Sequence, residues 1–344
     1  RPGAHTLRYR AVDVAGNESA VGVQAVTVRV SATTKTTFSG RDRYETAVRV
    51  AKASHPTGAR TVLLASGVNW PDAMGGAALS GATDAPILLS NTDLLPAVTR
   101  DELVRLAPAK VLILGGTSAL STGVEGAVRS ALGPGTSVER LWGADRYSTA
   151  VAIATRAVAE QGGGFDGTAY VATGASFADA LAAAPLSSAF SRPLYLSGPT
   201  GLSATTVAAM KNVGVTDVVI LGGTGAVPAG IEAQLTAAGI ASTRAQGATR
   251  YATALAVARL GVAGGLAWDH LALANGTGFA DALCGGVMQG HSGSVLLLTP
   301  GTSLDPGVEA ELGSQADFIS EIRYLGGLSA LSQSVRDTAA AVLH

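Results

Sequence analysis

The chain has 344 residues, of which only 14% are charged, and a mean hydropathy of +0.32. Its 24 Lys and Arg against 25 Asp and Glu leave a net charge of -1, which excludes a strongly basic nucleic-acid binder and a chain drawn as a whole to anionic lipid. At about 150 residues per domain the length predicts two or three domains, and the single cysteine, Cys284, excludes an intramolecular disulfide and any multi-cysteine metal site.

With 44 glycines and few charges, the surface is expected to be made of Ser, Thr, Gly and Ala. No apolar run approaches the roughly 18 residues that a membrane-spanning helix needs, because Gly, Pro or a charge interrupts each one, so no membrane insertion is expected. The first residue is Arg1 and no leader pattern follows it, which reads as a mature chain or a fragment.

Residues 1–30 alternate polar and apolar positions around an Ala-Gly-Asn turn, the pattern of a closing hairpin in an antiparallel β-sandwich. The stretch AVDVAGNES there resembles the last strands of bacterial immunoglobulin-like modules. Residues 31–38, SATTKTTF, read as a linker.

Three repeats follow, at 39–141, 142–245 and 246–344. Their leading blocks are SGRDRYETA, WGADRYSTA and QGATRYATA, and the glycines Gly40, Gly143 and Gly247 stand 103 and 104 residues apart. That spacing suits small domains rather than solenoid units. Three more blocks recur in the same order: NWPDAM, SFADAL and GFADAL; PILLS, PLYLS and VLLLT; VLILGGTSALS, VVILGGTGAVP and IRYLGGLSALS.

Within the first repeat, RYETAVRVAKAS carries a helical period, and TVLLAS at 61–66 is a short strand-like run. DAMGGAALSGA reads as a small-residue helix, PILLS at 86–90 as a strand, RDELVRLA as a helix, VLILGG as a strand and VEGAVRSAL as a helix. Continuous apolar strands separated by helices imply an α/β unit with a parallel sheet covered on both faces.

The four blocks in three copies resemble the type 2 cell-wall-binding repeats of Gram-positive surface proteins, over residues 39–344. The resemblance implies a non-catalytic module that holds a secreted, extracellular protein on the wall by binding an anionic secondary polymer. It also implies a pseudo-threefold arrangement of the repeats, with further domains elsewhere on the chain, and it calls for no cofactor. In that family an Ile-Leu-Leu motif is associated with polymer binding; it maps onto Ile87, Leu88 and Leu89, onto Leu194, Tyr195 and Leu196, and onto Leu296, Leu297 and Leu298. The middle copy departs at Tyr195. Read as residues alone, three aliphatic side chains in an α/β strand are core, since they offer a polyanion only apolar contact.

Asp42 with Glu45 has the D-x-x-E form of a capping box, Asp145 has Ser148 in place of the Glu, and Thr249 caps with an Ala252 that cannot reciprocate. A helix start does not call for the arginines that follow, Arg43, Arg146 and Arg250, because a cation there opposes the helix dipole. Two roles stay open: pairing with an acid of a neighbouring repeat, such as Asp72, Asp179 or Asp281, or offering a planar fork to a ligand phosphate or carboxylate. Those three acids stand at the entry of small-residue helices, where an acid favours the dipole.

The Gly115-Gly116, Gly222-Gly223 and Gly326-Gly327 loops each join strand to helix and are candidate anion-binding turns, or simply tight turns. The five histidines fall at unrelated repeat positions, so no metal site is expected; Cys284 aligns with Gly75 and Ala182 and reads as a small buried filler. Residues 246–344 hold four basic and eight acidic residues against ten and nine in 39–141, so the third repeat is expected to bind an anionic polymer most weakly. Two other readings are a wall-glycan hydrolase or transferase using Asp72 and its equivalents, and a self-assembling surface platform. The first lacks a repeated nucleophile or base partner.

Overall fold

The computed structural model describes residues 3–28 and 32–343. Strands β1 (Gly3–Tyr9) and β2 (Gly22–Val28) pair antiparallel, from Gly3 opposite Val28 to Tyr9 opposite Gly22. In their connection the Asp13 carboxylate accepts from the Ala15 and Asn17 amides, both at 2.9 Å. Of the expected β-sandwich remnant, the described residues form this small two-stranded sheet. Leu7, Tyr9 and Val23 lie more than half exposed on it, and two strands alone bury too little to form a sandwich core. The expected 30/31 boundary lies outside the described residues.

The segment read as a linker contains a strand, β3 (Thr34–Phe38). The first repeat then runs α1 (Arg43–Ser54), β4 (Thr61–Ser66), α2 (Gly76–Thr83), β5 (Ile87–Ser90), α3 (Ala97–Leu106), β6 (Lys110–Leu114), α4 (Thr122–Leu132) and β7 (Ser137–Leu141). The second has α5 (Arg146–Glu160), β8 (Thr168–Thr173), α6 (Ala178–Ala182), α7 (Ala184–Ala189), β9 (Leu194–Ser197), α8 (Ala204–Asn212), β10 (Asp217–Leu221), α9 (Gly230–Ala237) and β11 (Ala241–Ala245). The third has α10 (Arg250–Ala263), β12 (Ala267–Asn275), α11 (Ala280–Ser292), β13 (Ser294–Thr299), α12 (Pro306–Gln315), β14 (Glu321–Leu325) and α13 (Gln333–Ala341).

Each repeat builds one parallel four-stranded sheet, in the orders β5-β4-β6-β7, β9-β8-β10-β11 and β13-β12-β14-β3. The inner strands are buried on both faces, as their unbroken apolar runs require. The fourth strands, SVERL, ASTRA and TKTTF, are part-exposed edges and carry no apolar run, so hydropathy alone does not reveal them. In the third sheet that edge strand comes from the other end of the chain: β3 pairs with β14 from Thr34 opposite Glu321 to Phe38 opposite Leu325. Thr33 adds a hydroxyl bond to the Ile319 carbonyl at 2.8 Å.

The three small-residue helices α2, α7 and α11 pack on one another at the centre of the molecule. Small side chains let them approach closely. A Cβ at Gly81 would collide with the Ser188 carbonyl, and one at Gly286 would stand 2.7 Å from the Ala184 side chain. The first helix of each repeat lies against a helix of the preceding repeat: α5 on α2, α10 on the short α6 that leads into α7, and α1 on α11. The third of these contacts closes a ring from repeat 3 back to repeat 1.

Candidate functional site between the repeats

Each leading block positions its arginine by local rules. Asp42, Asp145 and Thr249 cap their helices, accepting from the amides of Glu45, Ser148 and Ala252 at 2.9, 2.7 and 3.1 Å. The reciprocal capping bond occurs in the second repeat, where the Asp145 amide donates to the Ser148 hydroxyl at 3.0 Å. In the first repeat Glu45 instead accepts from the Arg41 amide, one residue earlier. Bonds to Arg41 and Arg49 hold the Glu45 carboxyl down at about 2. The threonine of each block, Thr46, Thr149 or Thr253, accepts from the amide of Gly40, Gly143 or Gly247 at 3.0–3.1 Å, closing the loop before the helix.

The arginines then reach across the ends of two sheets. Arg43 donates to the carbonyl of Gly67, Arg146 to that of Gly174 at 2.6 Å and Arg250 to that of Gly276 at 2.8 Å, each glycine directly following a strand of the same repeat. The adjacent tyrosines Tyr44, Tyr147 and Tyr251 cover those same glycines. Beyond the glycine each guanidinium faces the preceding repeat: Arg146 toward Asp72, Arg250 toward Asp179, and Arg43 toward Asp281. Burial pushes all three carboxyls up, and the opposing arginine and the Thr149, Thr253 or Thr46 hydroxyl draw them partly back down.

The first glycine of each LGG loop explains why these acids sit so close to backbone. Gly115, Gly222 and Gly326 have φ of +104°, +100° and +97°, a region that favours glycine. A Cβ on Gly115 or Gly326 would lie 2.5 Å from the Asp72 or Asp281 carboxylate, and one on Gly222 closer still to Asp179. These loops therefore seat the acid and turn the chain. Gly116, Gly223 and Gly327 line the outer wall, next to Trp142, Gln246 and Ser39 respectively.

The result is a set of inter-repeat clefts at the carboxyl ends of the parallel strands, where open α/β sheets bind ligands. The cleft between repeats 3 and 1 encloses about 380 Å³ and includes Arg43, Asp281, Phe279 and Gly327; that between repeats 2 and 3 encloses about 490 Å³ and includes Arg250, Asp179 and Gly223. Arg43 and Arg250 are exposed and Arg146 is half-buried.

An aromatic cluster that the sequence reading did not single out joins these clefts. Trp70, Phe177 and Phe279, one from each repeat, converge with ring centroids 6.0 and 6.2 Å apart. Arg146 stacks over Trp70 at 5.5 Å and Arg43 over Phe279 at 5.8 Å. The signal was present: an aromatic residue stands two positions before each of Asp72, Asp179 and Asp281.

The Ile-Leu-Leu motif lies elsewhere. Ile87 to Leu89, Leu194 to Leu196 and Leu296 to Leu298 are each at most 2% exposed, packed inside β5, β9 and β13. They present no surface to a polymer, so a contact role for them is corrected to a core one. Cys284 is also buried, and burial raises its thiol pKa, as a core filler requires.

A ring of three α/β units, with clefts opening at the junctions of repeats 3 and 1 and of repeats 2 and 3, has the form of a repeat-built binding module. The sequence profile of cell wall binding domain 2 (CWB2) matches residues 37–125, 140–232 and 244–336, and the chain belongs to that family. It is a cell-wall-binding chain, associated with the wall or cell surface. It is 29% identical over 297 residues to the N-acetylmuramoyl-L-alanine amidase LytC of Bacillus subtilis (strain 168), covering 86% of this chain and 56% of that protein. It is 28% identical over 304 residues to the amidase enhancer of the same organism, covering 88% of this chain and 40% of that one. Among solved structures it is similar to Cwp6 from Clostridium difficile, with a TM-score of 0.82 at 22% identity, over 98% of this chain and 51% of that one. For Cwp8 from the same organism the TM-score is 0.77 at 24% identity, over 90% and 51%. The chain thus spans about half the length of the relatives it matches.

Proposed function

We propose that the chain acts as the extracellular wall anchor of a longer protein and binds an anionic secondary polymer in its inter-repeat clefts. The observation that carries this reading is the recurrence, at each repeat junction, of one arginine fixed by a backbone carbonyl at the strand ends, with a cleft open beside Arg43 and Arg250. An Arg fork matches phosphate or carboxylate in planar, charge-assisted bonds. The aromatic cluster between the clefts offers flat apolar surface to sugar rings. Three modest sites in one chain sum to strong retention through high effective concentration.

The test is co-sedimentation of the chain with Gram-positive walls before and after chemical removal of the secondary polymer. Binding is expected to vanish with the polymer, and equal binding to stripped walls would overturn the reading. Among Arg43→Ala, Arg146→Ala and Arg250→Ala, the smallest loss is expected from Arg250, in the acidic third repeat.

A further inference from the structure

At the opposite ends of the helices that form the clefts, two histidines far apart in sequence meet across the ring closure. His55 caps the C-terminus of α1, Asp84 caps that of α2, and His291 lies in the last turn of α11, so repeat 1 supplies two of the residues and repeat 3 the third. The two imidazole rings are 5.3 Å apart, centroid to centroid. The Asp84 carboxylate oxygen Oδ1 lies between them, 3.5 Å from His55 Nε2 and 3.1 Å from His291 Nδ1. A cavity of about 210 Å³ opens beside them.

We propose that His55, Asp84 and His291 form a zinc-type divalent cation site that clamps repeat 3 to repeat 1. The first argument is geometric. Ligand atoms held about 2.1 Å from a tetrahedral zinc lie roughly 3.4 Å from one another, close to the two separations seen, and one donor atom from each of the three residues falls within 4.8 Å of the others. The second concerns orientation: His55 Nε2 faces two acceptors, the Asp84 carboxylate and the Asp84 carbonyl at 3.2 Å, so a proton or a cation must lie on that side of the ring. The other ring nitrogen, Nδ1, bonds the Ser54 hydroxyl at 2.8 Å, which fixes the ring in its plane as an outer partner of a ligating histidine does.

The third argument is electrostatic. Three helix C-termini point their carbonyls into this region, and the dipole there favours a positive charge. Two neutral imidazoles and one carboxylate are a donor set suited to zinc, with the remaining position left to solvent. His55 is almost fully buried while His291 and Asp84 are open to solvent, so an ion has a route in. Among the described residues the other repeats do not reproduce it: Ser191 and Gly293 occupy the positions equivalent to Asp84, with the same left-handed backbone, and Ala82 and Ala189 those equivalent to His291.

The full chain should be titrated with Zn²⁺ alone against a chromophoric chelator, with thermal unfolding followed in parallel. The expected result is one zinc bound per chain and a higher Tm with zinc than without. Asp84→Asn, a residue tolerated at φ +49°, and His291→Ala, at a half-exposed position, should each keep the metal-free Tm. Both should weaken zinc at least tenfold and abolish the zinc-dependent rise. Wild-type protein that takes up no zinc, or variants that bind it as tightly as wild type, would overturn the proposal.

Discussion

The central hub and the clefts are built from the same helices, yet they obey opposite rules. At the hub the bodies of α2, α7 and α11 meet through Gly, Ala and Ser, with backbone against backbone and no room for a methyl group at Gly81. Where the same α2 and α11 segments begin, half-buried acids instead face arginines of the next repeat, and beside Asp281 open volume remains. One region is specified by what cannot fit, the other by charges held apart. Substitutions should therefore divide: hub changes reach stability first, and cleft changes reach wall retention first.

The largest expected effect is at the hub. Gly81→Leu forces α2 away from the Ser188 carbonyl and should cost about 3 kcal/mol or prevent folding; a melting curve like that of wild type would break the contrast. Next comes removal of β3. A chain starting at Ser39 loses the Thr34–Phe38 pairing with β14 and the Thr37 bond to Arg336 at 2.8 Å. The lost backbone ladder is expected to lower stability in chemical denaturation, with the loss concentrated in repeat 3.

Cleft substitutions should leave the fold nearly intact. Arg43→Lys, Arg146→Lys and Arg250→Lys together keep the charge but lose the planar fork. Wall retention is expected to fall by about tenfold or more, the equivalent of one charge-assisted bond, with stability changed by no more than about 1 kcal/mol. If retention is unchanged, the arginines serve only their glycine carbonyls.

The cleft acids give a pH signature of definite sign. Asp72, Asp179 and Asp281 have folded-state pKa values raised above the ordinary 3.8 by burial, so the native state binds protons that the unfolded chain does not. They therefore add stability as pH falls from neutral through their raised values, and that gain is complete below 3.8. Glu45 has the reverse sign, its contribution being present above the ordinary 4.5 and lost as pH falls toward about 2. Relative to Asp281→Asn, the wild-type protein should gain stability as pH is lowered through the window just above 3.8; a pH-independent difference between the two would refute the burial effect.

Much of this was legible in the sequence, and the misses share a cause. The buried strands announced themselves as unbroken apolar runs, and the repeats as four recurring blocks. The edge strands β3, β7 and β11 did not, because a part-exposed edge needs no apolar run and its pairing partner is visible only in three dimensions. For β3 the partner lies nearly 300 residues away, so a segment read as a linker became the closing strand of the last sheet. The aromatic cluster was missed because each ring stands alone in its repeat, and only the ring closure brings the three together. The meeting of His55 and His291 was hidden for the same reason: pseudo-symmetry explains equivalent positions, and these two are not equivalent.

The smallest effect tests whether the Ile-Leu-Leu strands are core alone. Tyr195 replaces the middle leucine in β9 and is fully buried, with its hydroxyl lacking a partner among the described protein groups. Burial raises its pKa strongly, as expected for a phenol removed from water. An unpaired buried hydroxyl costs roughly 1–3 kcal/mol, whereas its ring belongs to the apolar outer core of repeat 2 with Val171, Ile220 and Leu235. Tyr195→Phe keeps the ring and removes the unmet group, so it should raise stability by about 1 kcal/mol in chemical denaturation and leave wall retention unchanged. A loss of retention at unchanged stability would return this strand to the binding surface, and with it the division between hub and clefts would have to be redrawn.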